Sequence, residues 1–228
     1  MKKIVFAALV ACVCFGFLAG MAGADMSVYV AYTYTPLIFT AHFDGYYTGG
    51  VYAGQYNLTY PVGVSNLSTI GYCIDLESSS PPESRLLTVA ALSDAPIPNM
   101  TGQTAMGDSK AALLSQLWGQ HHSEVTDANT AASFQLAVWE IVFETSGTLD
   151  VTKDSFTTSG GTQAQSWLDS LDPDGSKANL VALTNNGKQD VVVEVTGLAG
   201  GEVPAPSALL LCLIGMGFAG VARRIKRS

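Results

Sequence analysis

The hydrophobic pattern along the chain changes its period twice. Between residues 27 and 76, Tyr, Val, Thr and Phe dominate and Gly interrupts them. Segments 27–34, 37–43, 52–60 and 69–76 predict β-strands, because short runs of β-branched and aromatic residues suit a pleated, half-buried surface. Asp44-Gly45 and Gly49-Gly50 are turn signals, and Ser78-Ser79-Ser80-Pro81-Pro82 predicts a loop. The period then becomes helical. Ala111, Leu114, Leu117 and Trp118 recur at helical spacing over 110–118, with Asp108 or Ser109 placed to cap that helix. Thr126-Asp127 opens a second helix, 128–144, whose Ala131, Phe134, Ala137, Val138, Ile141 and Val142 form an apolar stripe. Its β-branched end is also compatible with extended chain, and Thr145-Ser146-Gly147 stops it. Short helices are expected over 164–171 and 177–184, the first ended by Asp172-Pro173-Asp174-Gly175, and a strand over 190–195. No internal repeat is present. The pattern predicts an α+β domain: a β-rich first part, sandwich or barrel-like, then a helical middle section and a β return.

The two ends follow a different logic. Met1-Lys2-Lys3, an apolar run from Ile4 to Leu18 and Ala22-Gly23-Ala24 have the layout of a secretory signal cleaved after Ala24. Leu9-Val10-Ala11-Cys12 also fits the short pattern that precedes a lipidated cysteine. At the other end Val203-Pro204-Ala205-Pro206 precedes an apolar stretch, 207–222, and then Arg223-Arg224-Ile225-Lys226-Arg227. At about 1.5 Å rise per residue that stretch falls just short of a bilayer core of about 30 Å. The basic cluster stays on the cytoplasmic side. This order resembles the PEP-CTERM sorting signal of Gram-negative bacteria. Val203, Pro204, Pro206, Arg223 and Arg224 carry the likeness, and Ala205 stands where the usual motif has Glu. The resemblance implies an exosortase as processing partner, a transient stage in the inner membrane, and a final place at the cell surface, in the envelope or in an extracellular matrix. A single-pass tail anchor is the alternative, and it too leaves the domain outside the inner membrane. The expected organisation is therefore a signal peptide (1–24), one domain (25–196), a linker with the Val-Pro-Ala-Pro motif (197–206), a transmembrane sorting helix (207–222) and a basic cytoplasmic tail (223–228).

Charge and cysteine content narrow what the domain does. With both ends removed, about 180 residues remain, enough for one domain with a real core. From Asp25 to Glu202, five basic and nineteen acidic residues give a formal charge of 5 − 19 = −14, the wrong sign for a patch that binds nucleic acid. The acidity suits a soluble exterior. Cys12 and Cys14 lie in the signal and Cys212 in the C-terminal stretch, so Cys73 is the cysteine the domain keeps. A lone cysteine in an exported domain is either a reactive or intermolecularly paired thiol, or a small buried apolar residue.

Two short segments carry the candidate chemistry. The first is Gly71-Tyr72-Cys73-Ile74-Asp75-Leu76, and the second is Ala132-Ser133-Phe134-Gln135-Leu136-Ala137-Val138-Trp139-Glu140-Ile141. Together they resemble the paired signatures of bacterial thioester domains, aromatic-Cys-aliphatic-acidic and apolar-Gln-x-Ala-aliphatic-Trp. The resemblance spans roughly residues 72–144. It implies that Cys73 is the thiol partner and Gln135 the acyl partner of an internal thioester, with Tyr72, Asp75, Phe134, Ala137 and Trp139 around them. The chemistry has its own logic. A primary amide is a poor acyl donor, and holding a cysteine against it replaces chance encounter by high effective concentration. Attack expels ammonia and leaves an activated acyl group, which an apolar wall must keep from water; Tyr72, Phe134 and Trp139 are candidates for that wall. On a helix Gln135 and Trp139 share a face. Capture of an amine or hydroxyl on a polysaccharide or protein would consume the bond once, so the resemblance implies an adhesin-like binder without turnover and without a cofactor. The alternative is a non-covalent structural or carbohydrate-binding module, in which Cys73 is buried and Gln135 only hydrogen-bonds.

Other features support weaker readings. A pair of Cys73 with His121 or His122 would suggest a cysteine hydrolase, and the histidines with Glu124 or Asp127 a metal, although the spacing matches no closed metal pattern. Asp75, Glu77, Glu140 and Glu144 could pair for glycosidic chemistry, and Asp75 beside Cys73 could assist proton movement. Asp172-Pro173-Asp174-Gly175 is a turn rather than a calcium loop, since it lacks the further ligands. Gly-x-Ser-x-Gly, phosphate-loop and dinucleotide fingerprints are absent from the sequence.

Overall fold

Six of the strands pair into a closed antiparallel barrel. The computed structural model describes residues 25–62, 65–75, 81–96 and 104–195. The barrel strands are β1 (Asp25–Tyr32), β4 (Tyr56–Val62), β5 (Ser65–Cys73), β6 (Glu83–Ala90), β8 (Leu180–Thr184) and β9 (Val191–Glu194), in the order β1-β4-β5-β9-β8-β6 with β6 returning to β1. Buried positions alternate clearly on β1 and β6, and burial is near-continuous on β8 and β9. Val28, Val30, Leu58, Leu87 and Val89 alternate with half-buried or exposed neighbours and fill the interior. A separate three-stranded sheet, ordered β3-β2-β7, is made by β2 (Leu37–Phe43), β3 (Tyr47–Ala53) and β7 (Phe156–Thr158).

Three helices follow the barrel's first strands. They are α1 (Gly107–His121), α2 (Ala128–Phe143) and α3 (Thr162–Asp169). Helix α2 packs against β5 of the barrel and against all three strands of the small sheet, as well as α1 and α3. That position explains its composition. From Ala131 to Phe143 every residue but Ser133 is buried, including Gln135 and Glu140, so the helix is enclosed all round rather than along one stripe. Asp127 caps it: its side chain accepts the Thr130 N–H at 2.8 Å, and the Thr130 hydroxyl accepts the Asp127 N–H at 3.0 Å. Aromatic rings seal the contact with the small sheet, where Phe43 meets Trp139, Phe143 and Phe156 at centroid distances of 5.8, 4.9 and 5.0 Å.

The α+β class and the 37–43 strand are as the sequence predicts, and several other expectations are corrected. Segment 52–60 is not one strand: the chain breaks at Gly54-Gln55 between β3 and β4. Gly49-Gly50 is no turn but lies within β3, paired with Ala41 and Thr40 of β2; the Tyr47 ring folds over Gly49, where a Cβ would meet its hydroxyl. The 69–76 strand starts earlier, at Ser65, and ends at Cys73. Strand β6 was not anticipated. The first helix is longer than 110–118, and neither Asp108 nor Ser109 caps it; the N-cap is Met106, with no side-chain bond. The helix expected over 177–184 is instead β8, because Leu180–Thr184 fills the gap between β6 and β9. Among the described residues no helix is long and apolar enough to cross a membrane. The signal segment 1–24, the sorting residues Val203, Pro204, Pro206, Arg223 and Arg224, and the 207–222 stretch lie outside the described residues.

Two stability predictions follow from this packing. A Cβ on Gly71 would lie 2.7 Å from the Val192 carbonyl oxygen and 2.9 Å from a Val193 methyl. Gly71→Ala is therefore expected to lower stability in urea denaturation by about 1–3 kcal/mol, the range for overpacking. Asp127→Ala removes the cap of α2 and is expected to cost about 1 kcal/mol in the same measurement.

Candidate functional site

Strand β5 runs farther than its neighbour β4. The last β4 pairing is Tyr56 with Gly71, whereas on the other side β9 continues through Val191, opposite Cys73. Along an antiparallel strand main-chain bonds point alternately to each side. Gly71 faces β4, Tyr72 faces β9, and the Cys73 N–H and C=O face a side where no strand remains among the described residues. Gln135 of α2 fills that place. Its Oε1 accepts the Cys73 N–H at 3.0 Å and its Nε2 donates to the Cys73 carbonyl at 2.9 Å. The carboxamide acts as one peptide group of the missing strand, and both partners are 1% exposed. Here the two sequence segments meet, across 62 residues of chain.

The thiol has a defined orientation. Sγ donates to the Asp75 main-chain carbonyl at 2.9 Å. Burial, reinforced by the Asp75 charge, pushes the thiol far above its ordinary range; the Asp75 carbonyl, the Trp139 indole and Arg85 oppose this. The Trp139 N–H favours the anionic sulfur from nearby, yet it makes no hydrogen bond of normal geometry. Asp75 is 2% exposed, and its Oδ2 accepts the Asp190 N–H at 2.7 Å. Around this end of the barrel stand Tyr56, whose hydroxyl donates to Gln189 Oε1 at 2.9 Å, and Arg85, which bonds Glu83 Oε1 at 2.6 Å and the Gln189 carbonyl at 3.2 Å.

The aromatic residues divide. Trp139 is on the thiol side. Tyr72, next to Cys73 on a strand, points to the opposite face. There its ring meets Phe134 at 4.7 Å and Trp118 at 5.6 Å, and its hydroxyl accepts from Gln55 at 2.8 Å. Tyr72 and Phe134 therefore brace the strand from behind and do not wall the sulfur as expected. Ala137 is fully buried within α2. Sequence reasoning missed Asp190, Gln55 and Arg85. Arg85 had a legible signal, since it shares the parity of Leu87 and Val89 on β6 and so points inward.

The histidines serve other contacts. His122 stacks on Trp118 at 4.4 Å, and burial pulls its pKa down to about 4. His121 Nδ1 lies 2.8 Å from Glu124 Oε1 and its Nε2 lies 3.2 Å from Ser170 Oγ. That line of Ser, His and Glu has the order of a hydrolytic triad. However, Ser170 caps the C-terminal end of α3 and its hydroxyl donates to the Trp167 carbonyl, so the surrounding main chain offers acceptors where an oxyanion needs donors. Asp127 is occupied as a cap, and among the described residues no group of three or more His, Cys, Asp or Glu is placed to hold a metal.

The carboxylates named for glycosidic chemistry hold loops. Glu140 Oε1 accepts the Asp150 N–H at 2.7 Å, and Glu144 accepts the N–H groups of Thr145, Ser146 and Ser155. Asp75 belongs to the thiol site, and Glu77 lies outside the described residues. Gln120 pairs with both main-chain groups of Asp172, and Gln165 with Val151 and Leu149, so a carboxamide standing in for a peptide recurs in this domain. What sets Gln135 apart is that its partner carries a thiol. No family model, curated protein or solved structure matches the chain.

Glu140 yields a pH prediction. It is fully buried and its second oxygen has no partner; burial, with Glu144, Asp150 and Asp154 nearby, raises its pKa from 4.5 to about 8. The folded state therefore holds a proton that the unfolded chain releases, and stability falls as pH rises from about 4.5 to about 8. In denaturation curves across that window, Glu140→Gln is expected to flatten the decline.

Proposed function

We propose that this is an exported surface or envelope protein whose Cys73 and Gln135 form an internal thioester that captures a nucleophile on a neighbouring surface or matrix. The observation that carries the reading is the two-bond contact of the Gln135 carboxamide with the main chain of the cysteine. The Cys73 N–H polarises the Gln135 carbonyl and stabilises negative charge on Oε1 as sulfur adds to the carbon. The C–N bond then breaks, and the thiol proton leaves with nitrogen as ammonia. The product is a thioester buried beside Trp139, away from bulk water.

Loss of ammonia also removes the donor that the Cys73 carbonyl had. A primary amine restores it on attack, because the amide formed at Gln135 again carries an N–H. A hydroxyl gives an ester, which does not. Amines are therefore the favoured acceptors, and their attack releases the Cys73 thiol. The protein is a single-use binder rather than a turnover enzyme. Its PEP-CTERM-like end and signal-like start support export and exosortase processing, with an inner-membrane intermediate before the cell surface.

A non-covalent module is the second reading. Gln120 favours it, because it makes the same paired contact with both main-chain groups of Asp172, where no thiol is present.

Intact mass distinguishes the two. The purified protein is expected to fall one ammonia short of its sequence mass, and Cys73→Ala and Gln135→Ala to restore the full mass. Methylamine is expected to form an adduct at Gln135 and free one thiol, faster than glycerol does. A full-mass wild type whose thiol titrates in fresh denaturant would leave the non-covalent module.

A further inference from the structure

The thiol is held by a short chain of bonds that ends on a residue outside both sequence signatures. Sγ donates to the Asp75 carbonyl at 2.9 Å. The Asp75 carboxylate accepts the Asp190 N–H at 2.7 Å, and the Asp190 carbonyl accepts the Ile74 N–H at 3.0 Å. Residues 74 and 75 are thus clipped at two points to the residue that precedes β9. The Asp190 side chain fixes its own main chain in turn, since its Oδ1 accepts the Asn185 N–H at 2.8 Å across the β8–β9 turn. Cys73, Ile74, Asp75 and Asp190 are all 2% exposed or less, so water does not replace these bonds.

We propose that Asp190 is a positioning residue for acyl transfer at Cys73: it fixes Asp75, and Asp75 fixes the thiol hydrogen so that sulfur meets the Gln135 carboxamide. The inference rests on the thioester reading and adds a residue to it. The chemistry is unchanged: the S–C bond forms, the C–N bond breaks, and the thiol proton departs in ammonia. The clip sets the orientation in which that exchange starts. Orientation matters here because Cys73 sits at the end of β5, where the β4 side of the strand is open and the carboxamide is its neighbour. Loss of the clip removes the bond of Asp75 to the residue before β9, and the acceptor of the S–H bond moves with residue 75.

Asp75 plays two opposed parts. Its carboxylate closes the clip, and its charge also disfavours thiolate. Asparagine keeps an acceptor oxygen for the Asp190 N–H and removes the charge, whereas alanine removes both. The two substitutions therefore separate positioning from electrostatics.

The test follows ammonia loss over time by intact mass, in the full-length chain made by cell-free synthesis, alongside urea stability. Asp190→Ala and Asp75→Ala are expected to slow ammonia loss about ten- to hundred-fold, the scale of a misplacement of about an ångström. Asp190→Asn is expected to restore the rate, and Asp75→Asn to match or exceed the wild type. A purely structural role predicts instead that rate follows stability and that neither asparagine variant recovers more rate than stability. Wild-type rates in both alanine variants, or no rescue by asparagine, would overturn the proposal. If Asp190→Ala does not fold, the Asp75 pair decides by the same comparison. A wild type that never loses ammonia defeats the thioester reading itself, an outcome distinct from equal rates in wild type and alanine variants.

Discussion

The unequal length of two neighbouring strands governs this molecule. Strand β5 outruns β4 by two residues, so one N–H and one C=O of Cys73 are left inside the protein without a strand to bond. A buried main-chain group without a partner costs about 1–3 kcal/mol, so the gap must be filled. The Gln135 carboxamide fills it, and that contact ties α2 to the end of β5. The helix then bridges the barrel and the small sheet, and its enclosure on all sides follows from that bridging position.

Enclosure has its own demands. A helix buried all round cannot place its polar side chains in water, so its Gln and Glu side chains take partners inside. Gln135 takes the strand end, Glu140 takes the Asp150 N–H, and Glu144 takes three N–H groups of the following loop. The apolar rings divide the remaining space: Phe43, Trp139, Phe143 and Phe156 against the small sheet, and Tyr72, Trp118 and Phe134 behind β5.

Elements with strong periodicity were legible in the sequence, and so was the meeting of Cys73 with Gln135. The start of α2 was readable because Asp127 is a capping residue directly before the apolar run. Strand β8 was misread as a helix because Leu180-Val181-Ala182-Leu183 has no clean alternation when both faces of a strand are buried. The side of β5 on which Tyr72 lies was implicit in strand alternation, but the thioester likeness drew it toward the sulfur. Asp190 was invisible for a different reason. It acts chiefly through its main chain, and a main-chain contact 115 residues from Asp75 leaves no mark in residue type or spacing. Gln55 was hidden likewise, in a break between strands that the pattern had run together.

The state of the thiol also bears on timing. A cysteine whose proton is held by Asp75, and whose ionisation burial opposes, is a sluggish target for dissolved oxidants and alkylating agents, which react with thiolate. The vulnerable interval for this side chain is therefore the time the chain spends unfolded, before the barrel closes. In the folded protein the free thiol is buried, and dissolved thiol reagents meet it slowly. Folding thus acts as a lock on the residue's fate.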